Sequence, residues 1–303
     1  MHKSRINFYF RAKNPNNYSI ENLFNSLINA HTFKFNCRKH FTKNQFDIGF
    51  LFRRNPEGIH HITGAVNYLA LTLPRKKTIL TVHDIGYYEN PLNEGLKKVI
   101  YKWFWFKLPL KHVAFITVVS EFTKNKLIEK FDVHESKIIV IPNPVLPHFK
   151  TVLKQHSKSA FKILQIGTGA HKNLLNLIKA VVGLDVELLI IGNPSQSERE
   201  SLLNKNISHK IYTGLTDEKV FELYVESDLL FFASFYEGFG MPIIEAQKVG
   251  RPVITSNFGA MKEVANGTAI LVDPENYKEI RSCIYRGRFN DFINIPNGLF
   301  AYF

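Results

Sequence analysis

The sequence predicts an α/β protein made of two doubly wound, Rossmann-like domains that face each other across a cleft. Three observations support this fold class: the length, the alternation of apolar runs with helical patterns in both halves, and a proline-rich junction between the halves. A chain of 303 residues usually exceeds what one hydrophobic core can organise, so about two domains are expected. With 45% hydrophobic and 21% charged residues, the chain has enough apolar surface to fold as a globular protein.

Short β-branched or aromatic runs predict six strands in each half. In the first half they occupy residues 6–10, 46–52, 59–63, 78–84, 115–120 and 138–142. In the second half they occupy residues 161–167, 186–192, 210–214, 228–234, 252–256 and 269–273. Helical patterns lie between several of these runs, as at residues 96–108 and 122–131. Continuous apolar runs are typical of parallel sheets covered on both faces, so these helices are expected to be crossover connections.

The junction between the halves contains three prolines followed by a polar stretch, which predicts a linker at residues 142–160. We therefore expect an N-terminal domain at residues 1–150 and a C-terminal domain at residues 151–303. Open parallel sheets bind ligands beyond the carboxyl ends of their strands, so functional residues are expected in the loops at those ends.

The net charge of +13 lies entirely in the first domain. Residues 1–150 contain 23 Lys and Arg against 10 Asp and Glu, whereas residues 151–303 contain 16 of each sign. Such one-sided charge favours an anionic partner, either a membrane surface or a nucleic acid. A basic domain without any such partner would carry the same charge, so charge alone leaves the three interpretations open.

Cysteine usage and hydropathy predict an intracellular protein. Cys37 and Cys283 lie far apart in the sequence, which excludes a disulfide scaffold and a cysteine-based zinc site and fits a reducing compartment. The first residues, MHKSRINFYFRAKN, contain no apolar region of signal-peptide length. The most apolar stretch, residues 99–119, is interrupted by charges and a proline, so no membrane span is expected.

The most specific motif is EGFGMPIIE at residues 237–245, directly after the predicted strand 228–234. A proline and a glycine suited to the ends of a helix predict a helix at residues 242–249. Its N-terminus would favour an anion such as phosphate, because unpaired backbone N–H groups and the positive end of the helix dipole meet there. The residues at this N-terminus are Gly238, Phe239 and Gly240.

Two carboxylates flank the predicted anion site, Glu237 just outside it and Glu245 one turn inside the helix. Carboxylates repel an anion unless they accept hydrogen bonds from hydroxyl groups of the same ligand, and a sugar joined to a diphosphate supplies both. Either glutamate alone could be an ordinary loop residue or helix former. Two of them with two glycines between them favour a sugar-phosphate site.

With its flanks, SFYEGFGMPIIEAQKVGRPVITSNFGAMKEVANGTAILVDP, this motif resembles the retaining glycosyltransferases of family 4, which have the two-Rossmann-domain GT-B fold and a Glu-x7-Glu motif. The resemblance covers residues from about 20 to 285. It implies an acceptor-side first domain and a second domain that binds a nucleotide sugar. It also implies that Glu237 contacts donor-sugar hydroxyls, that Glu245 accepts hydrogen bonds from the ribose, and that the amides of Phe239 and Gly240 hold the sugar-phosphate. Ala233 stands where the family often has proline.

A second site element is IGTGAHKN at residues 166–173, between a predicted strand and a helix. Gly167 and its neighbouring glycine permit close backbone approach, and Lys172 offers a charge for the leaving diphosphate. Without the neighbouring motif, such a turn could equally be structural. Neither a G-x-G-x-x-G fingerprint nor a GK[ST] P-loop occurs, so neither nicotinamide nor ATP binding is indicated. The resemblance implies a basic pair at the diphosphate; Lys172 matches one member, and Thr168 stands where many relatives have arginine.

A third element is His83-Asp84, at the end of the strand TILTV. A histidine at a strand terminus is expected to face the cleft, although it could be simply a polar strand end. The resemblance implies that His83 lies near the donor sugar and the reacting carbon, and Asp84 is expected to orient the loop. Ser19-x-Glu21 is similar to the acceptor-side loop of some relatives.

No Asp-x-Asp pair occurs, and such a pair is what GT-A glycosyltransferases use to hold a divalent metal. Neither a metal nor another cofactor is therefore expected, and the resemblance implies a nucleotide diphosphate sugar as the donor substrate. Lys172 and the helix N-terminus would stabilise the leaving group instead. The resemblance implies front-face attack by the acceptor hydroxyl, and no better-placed nucleophile is evident.

Residues 95–115 combine four consecutive aromatics, Trp103 to Phe106, with five lysines. This composition suits a membrane interface with anionic lipids, and it also suits a buried helix. Because consecutive aromatics point all round a helix, most of them are expected to pack in the interior. The lysines would lie at the rim of that packing: Lys97, Lys98, Lys102, Lys107 and Lys111.

Relatives usually continue at the C-terminus with a helix that crosses back onto the first domain. After Ile284 this chain reads YRGRFNDFINIPNGLFAYF, in which Pro296 and Gly298 would break a helix. The terminal crossover helix is therefore expected to be missing.

Together these features predict a cytoplasmic, hexosyltransferase-like glycosyltransferase that uses a glycan or lipid-linked acceptor in surface polysaccharide or lipopolysaccharide synthesis. Peripheral attachment to the inner face of the cell membrane is a further hypothesis. A catalytically silent sugar-nucleotide-binding or assembly subunit is the alternative, because Thr168 replaces arginine and the crossover helix is expected to be missing. Nucleic-acid binding depends on charge alone and is not expected.

Overall fold

The computed structural model describes residues 4–12, 19–31, 34–44, 47, 49, 57–89, 95–154 and 160–288. The chain divides into two compact units, Met1–Asn143 and Pro144–Phe303. The division falls inside the predicted linker, before the expected boundary at residue 150.

The first unit contains a six-stranded sheet in the order β2-β1-β3-β4-β5-β6, in which all neighbouring strands are parallel. Its strands are β1 (Arg5–Phe10), β2 (Asn36–Phe41), β3 (Ile59–Ile62), β4 (Thr78–Val82), β5 (Phe115–Val118) and β6 (Ile138–Val140). Its α-helices are α1 (Ser19–His31), α2 (Gly86–Glu89), α3 (Leu96–Tyr101), α4 (Leu108–His112) and α5 (Glu121–Phe131). A π-helical segment (Lys102–Lys107) joins α3 to α4, and short 3-10 turns lie at Asn67–Thr72, Arg75–Lys77 and Glu135–Lys137.

One strand of this sheet was not predicted. The sequence pattern placed a strand at residues 46–52, of which only Asp47 and Gly49 are described, and neither of them lies in a strand. The structure instead pairs Asn36–Phe41 with β1 as the edge strand β2. Its sequence, NCRKHF, lacks apolar alternation because only one side of an edge strand is paired, and charged side chains are common there.

The second unit contains another parallel six-stranded sheet, in the order β12-β11-β10-β7-β8-β9. Its strands are β7 (Phe161–Ile166), β8 (Val186–Ile191), β9 (Ser208–Tyr212), β10 (Leu229–Phe232), β11 (Val253–Ser256) and β12 (Ile270–Val272). Its α-helices are α6 (Leu174–Val181), α7 (Gln196–Asn204), α8 (Asp217–Glu226), α9 (Met241–Val249), α10 (Gly259–Ala265) and α11 (Tyr277–Arg288). A 3-10 turn (Ala170–Lys172) precedes α6. The central strands β7, β8 and β10 contain buried and partly buried residues but no exposed one, as expected for a sheet covered on both faces.

These two parallel sheets with crossover helices confirm the predicted α/β fold of two doubly wound, Rossmann-like domains. Each sheet reverses its strand order once. The reversal lies between β1 and β3 in the first unit and between β7 and β10 in the second. Ligands of such sheets bind beyond the carboxyl ends of the strands on either side of the reversal.

The run of four aromatics is divided between the interior and the surface. Trp105 and Phe106 are buried, and they stack on Tyr101 and Phe131 with ring centroids 5.3 and 4.6 Å apart. Trp103 and Phe104 are 43% and 51% exposed. The expectation that most of this run packs inside was therefore wrong, because the helical segment buries only one face.

The helix α11 packs on α6, and Arg281 donates from Nη1 to the carbonyls of Ala180 and Val182 at 2.8 and 2.6 Å. Residues 289–303, where the crossover helix was expected to be missing, lie outside the described residues. Within the described ranges, no helix combines the length and the apolar character needed to cross a membrane.

Candidate functional site

The turn after β7 folds back on itself, so that the side chain of Lys172 packs on the backbone of Gly167. Gly167 has a φ of +87°, which favours glycine. The buried side chain of Gln165 donates from Nε2 to the carbonyls of Gly167 at 3.0 Å and Lys172 at 3.1 Å, which closes the turn. The aliphatic part of Lys172 then lies on Gly167, where a Cβ atom would come within 2.9 Å of the lysine Cε.

Lys172 meets Glu237 from the loop after β10, with 2.6 Å between Nζ and Oε1. The two side chains are only 19% and 16% exposed. The lysine Nζ also lies 4.8 Å from the ring centroid of Phe232 at the end of β10. Two charges predicted from separate motifs are therefore joined at the strand-order reversal of the second unit.

Asn173 and a backbone contact hold these two loops together. Asn173 is buried in the left-handed conformation at φ +64°, and its Nδ2 donates to the carbonyls of Ala233 and Pro274 at 2.9 and 2.8 Å. The amide of Phe235 donates to the carbonyl of His171 at 2.7 Å. Asn173 is a positioning residue that sequence reasoning missed, although it is the last letter of IGTGAHKN.

The helix α9 begins beside this ion pair. It spans Met241–Val249, one residue longer than predicted, with Pro242 in its first turn and Gly250 after it at φ +84°. Gly240, at φ +111°, precedes it. Among the described residues, no acceptor is paired with the amides of Phe239 and Gly240, so both N–H groups are available at the positive end of the helix. Gly238 lies in the same loop, between Glu237 and Phe239.

Glu245 lies one turn inside α9 and accepts a hydrogen bond at Oε2 from the hydroxyl of Tyr224, 2.7 Å away. Burial raises the pKa of Glu245 to about 7, and the hydrogen bond from Tyr224 opposes part of that rise. Tyr224 is fully buried in α8, and burial raises the pKa of its hydroxyl well above the ordinary value. The sequence carried no signal for Tyr224, because α8 reaches Glu245 only through the packing of α8 on α9.

Thr168 lies against the loop after β8. Gly192 there has a φ of +139°, and a Cβ atom on it would come within 2.9 Å of both the Oγ1 and Cγ2 atoms of Thr168. The glycine at the end of β8 therefore makes room for the threonine side chain. Where the resemblance implies an arginine guanidinium, this chain therefore has the hydroxyl of Thr168.

In the first unit, His83 follows β4 and is held by a neighbouring loop. Its Nε2 lies 2.8 Å from the carbonyl of Thr63, so this nitrogen carries the proton, and the ring packs on Gly64. Burial is the main cause that lowers the pKa of His83, against the opposing effects of the Thr63 carbonyl and the Asp84 carboxylate. The imidazole is therefore neutral near pH 7, and Nδ1 is an acceptor. Asp84 accepts at Oδ1 from the amide of Gly86 at 2.8 Å and so fixes the start of α2.

Arg11 is a further positioning residue that sequence reasoning missed. It follows β1 and pairs with Glu21 in the first turn of α1, through Nε to Oε1 at 2.8 Å and Nη2 to Oε2 at 3.2 Å. Glu21 is 8% exposed, so this pair is largely withdrawn from water. Both charges act on the His83 imidazole, in opposite directions. Glu21, chosen from the Ser19-x-Glu21 pattern, is thus an ion-pair partner at the strand-order reversal of the first unit.

Among the residues that the structure describes, no three His, Cys, Asp or Glu side chains come together in a group that could hold a metal ion. The positive charge of the second-unit site comes from Lys172 and the N-terminus of α9.

Comparison with protein families divides the chain in the same way as the fold. The sequence model of the family described as Glycosyltransferase Family 4 matches residues 20–148, and that of Glycosyl transferases group 1 matches residues 152–284. The first match ends, and the second begins, inside the linker between the two units.

Individual relatives are similar over most of the chain. It is 28% identical over 239 residues to an O-antigen chain mannosyltransferase, RfbU, of Salmonella typhimurium, covering 74% of this chain and 66% of that protein. It is 25% identical over 243 residues to O-antigen chain mannosyltransferase B of Escherichia coli, covering 71% and 62%. The chain thus spans less than two thirds of the length of these relatives.

Among solved structures, Alr3699/HepE of Anabaena in complex with UDP and glucose is similar, with a TM-score of 0.72 at 14% identity, covering 95% of this chain and 90% of that one. At this identity the likeness concerns the fold. Fold, motif and both family matches agree: the chain is a GT4-like glycosyltransferase.

Proposed function

We propose that this chain transfers a sugar, with retention of configuration, from a nucleotide diphosphate donor to a glycan or lipid-linked acceptor in the synthesis of a surface polysaccharide or lipopolysaccharide. The observation that carries the proposal is the Lys172–Glu237 ion pair, which lies next to the amides of Phe239 and Gly240. These groups provide a cation, a hydroxyl acceptor and two N–H donors in neighbouring loops of the second unit, which is the set that a sugar diphosphate requires.

The ion pair lets two opposite charges lie partly buried at the site before the donor binds. Without a donor, the partly buried Lys172 and Glu237 neutralise each other. When a diphosphate binds, the ammonium turns to the phosphate oxygens, and the carboxylate accepts hydrogen bonds from sugar hydroxyls. Both charges remain paired throughout, so neither incurs an uncompensated desolvation penalty.

In the proposed reaction, the bond between the anomeric carbon and the diphosphate oxygen breaks while the acceptor hydroxyl oxygen bonds to the same face of that carbon. The hydroxyl proton passes to the departing diphosphate. Negative charge grows on the diphosphate during this step, and Lys172 and the N-terminus of α9 stabilise it without a metal or another cofactor. Neutral His83 of the first unit, with Nδ1 as acceptor, is proposed to accept a hydrogen bond from a sugar hydroxyl.

The names of the curated relatives support mannose as the transferred sugar, since two similar proteins are O-antigen chain mannosyltransferases. The similar Anabaena structure holds UDP and glucose, so both kinds of donor belong in the test. We propose a cytoplasmic location, which is supported by the free thiols of Cys37 and Cys283.

The test is turnover of GDP-mannose and UDP-glucose, followed as donor hydrolysis and as transfer, in the variants Lys172→Ala and Glu237→Ala. Each variant is expected to lose about a hundredfold in turnover, the scale of one preorganised stabilising group. Full activity in either variant would remove the assignment.

A matched control comes from the same unit. Lys162 and Glu226 form another ion pair of 2.6 Å, near the opposite ends of the strands. Lys162→Ala and Glu226→Ala should leave turnover unchanged. If these variants lost as much activity as the site variants, the loss would reflect stability and not chemistry.

The alternative, a catalytically silent sugar-nucleotide binder, is motivated by Thr168, which contributes no charge beside Lys172. Titration calorimetry with the same donors separates the two functions. Binding without hydrolysis or transfer would support the silent subunit, whereas binding with turnover would support the enzyme.

A further inference from the structure

The buried guanidinium of Arg251 joins the ends of two helices in the second unit, and the proposed reaction does not use it. Arg251 follows α9 and is 3% exposed. Its Nε donates to the carbonyl of Tyr224 at 3.1 Å and its Nη2 to that of Val225 at 3.0 Å, both at the end of α8. Its Nη1 donates to the carbonyls of Val249 and Gly250, each at 3.3 Å, at the end of α9.

The same guanidinium also holds a segment that precedes β7. Its Nη1 donates to the carbonyl of Val152 at 2.9 Å, and the amide of Val152 donates to the carbonyl of Val249 at 3.2 Å. Three stretches of backbone that are far apart in the sequence therefore meet at the single side chain of Arg251.

These carbonyls compensate the burial of the arginine charge. Within the described ranges, the hydrogen bonds of the guanidinium all go to backbone carbonyls and no carboxylate forms an ion pair with it. A buried charge costs free energy unless hydrogen bonds compensate it, and the last carbonyls of a helix lack partners and carry the negative end of its dipole. Arg251 is therefore stabilised only where the ends of α8 and α9 lie together.

Tyr224 is held at both of its ends by this arrangement. Its carbonyl accepts from Arg251 and, at 2.9 Å, from the hydroxyl of Ser227. Its own hydroxyl donates to Oε2 of Glu245 at 2.7 Å. The hydroxyl reaches Glu245 only while α8 and α9 keep their relative position, and Arg251 bonds to the ends of both helices.

The charges that act on Glu245 come from α8. Tyr224 lowers the Glu245 pKa through its hydrogen bond, whereas burial and the carboxylate of Asp217 raise it. The strands β10 and β11, which pack on α9, contain no ionisable side chain. Helix α10 also packs on α9 and carries Lys262 and Glu263, but the causes of the Glu245 shift are burial, Tyr224 and Asp217.

We propose that Arg251 is a positioning residue of the donor site: it fixes the ends of α8 and α9 so that the Tyr224 hydroxyl reaches Glu245 and keeps that side chain able to accept hydrogen bonds from the donor ribose. Arg251 acts through Tyr224 and not by contact with the donor. The proposal rests on the proposed function, which assigns the ribose to Glu245. Without Arg251 the hydrogen bond to Glu245 should lengthen, and the neutral carboxyl, a poorer acceptor, should persist to higher pH.

The experiment is titration calorimetry of GDP-mannose and UDP-glucose with the unaltered chain and with Arg251→Gln, at pH 7 and at pH 9. At pH 7 the variant should bind donor about fivefold more weakly, because a smaller fraction of Glu245 is ionised. At pH 9 the two affinities should agree within about twofold, because Glu245 is then largely ionised in both chains. No loss at pH 7, or the same loss at both pH values, would overturn the proposal.

A conservative variant and a matched control accompany this measurement. Arg251→Lys keeps a cation but at most three donors, so about a twofold loss is expected at pH 7 and none at pH 9. If Arg251→Gln does not fold, this variant decides the question, and unchanged binding at pH 7 would contradict the proposal. The control is Arg281→Gln, because Arg281 also donates to carbonyls at the end of a helix, those of Ala180 and Val182. It should bind donor as the unaltered chain does at both pH values, and a pH-dependent loss there would remove the special role of Arg251.

A double-mutant cycle tests whether Arg251 acts through Tyr224. Tyr224→Phe alone should weaken donor binding at pH 7, and adding Arg251→Gln or Arg251→Lys to it should cause little further loss. Two losses that multiply would mean that Arg251 acts by another route and would contradict the proposal.

A second readout does not require a donor. The stability difference between each chain and its Glu245→Gln counterpart, measured by urea unfolding, reports the ionisation of Glu245. In the Arg251 variants the decline of this difference should extend to higher pH than in the unaltered chain. An unchanged pH range would overturn the positioning role. If the unaltered chain bound neither donor, the proposed function would fail, and this readout would still decide whether Arg251 positions Tyr224.

Discussion

Glu245 shows how one buried hydrogen bond sets the ionisation of a site residue. Its carboxyl group is removed from water in α9, which favours the neutral form, and the Tyr224 hydroxyl partly restores the charged form by donating at 2.7 Å. With a pKa of about 7, the group changes charge in the range where the protein is expected to work. A carboxylate proposed to bind a ribose therefore depends on a tyrosine from another helix.

Glu245→Gln is expected to change how stability depends on pH. Because the pKa of Glu245 is raised from 4.5 to about 7, its stabilising effect is fully present below pH 4.5 and is lost as the pH rises through 7. The unaltered chain should lose on the order of 3 kcal/mol across this window relative to the glutamine variant. Urea unfolding of both chains at a series of pH values measures the difference.

Two further variants make this result interpretable. Tyr224→Phe removes the hydrogen bond that lowers the pKa of Glu245 in the folded chain, so the decline in stability should begin at the same pH and extend to higher pH. Glu222→Gln, an exposed change on the same helix as Tyr224, should leave the pH dependence unchanged. Parallel stability curves for the unaltered chain and Glu245→Gln would contradict the raised pKa.

At the scale of elements, the turn between β7 and α6 and the loop between β10 and α9 form the second-unit site. β7 and β10 pair directly although they are far apart in the sequence, because the strand order reverses between them. Loops that leave neighbouring strands at a reversal diverge in direction and leave room for a ligand between them. Asn173 limits that room by bonding to Ala233.

Gly167→Ala is expected to displace Lys172 without a large additional loss of stability. Alanine at φ +87° costs about 1–2 kcal/mol, and its Cβ would also meet the flexible Lys172 side chain at 2.9 Å. Because that side chain can move aside, the main result should be weaker donor binding, measured by calorimetry.

Gly183→Ala is the control for this substitution. Gly183 also has a left-handed φ, +71°, but a Cβ atom there meets no atom within 4 Å. It should lose a similar amount of stability and keep donor affinity. If both variants bound donor equally well, the contact between Gly167 and Lys172 would have no role in binding.

At the scale of the whole molecule, charge is distributed unevenly over two units that each have their own sheet. The excess of +13 lies in residues 1–150, and the remainder is neutral. Like charges repel within a compact unit, so the first unit should carry an electrostatic cost that the second does not.

We expect potassium chloride to stabilise the first unit selectively. Screening of the repulsion should raise the opening free energies of amides in β4 and β5, whereas amides in β7 and β10 should change little. Native-state hydrogen exchange at low and high salt measures both units in one sample. A uniform change across both sheets would contradict this electrostatic difference.

Local sequence patterns predicted the elements that depend on local chemistry. Helix α9 ends as its proline and glycine predicted, and most strands coincide with apolar runs. The strand β2 escaped prediction because its residues are polar and its existence depends on β1 as a neighbour. The aromatic run was assigned mainly to the interior because composition does not show which face of a helix is covered.

By itself, the sequence determined the α/β class, the proline-rich junction at residues 142–160, the uneven charge and the residue types of the sugar-phosphate motif. Only the tertiary structure decided that Lys172 and Glu237 form an ion pair, that Tyr224 holds Glu245, that Arg11 holds Glu21, and that Trp103 and Phe104 are exposed. The physical reason is the separation, along the chain, of the residues that each kind of interaction joins. Capping, turn and apolar patterns act over a few neighbouring residues, whereas these contacts and exposures exist only after strands and helices from different parts of the chain have packed together.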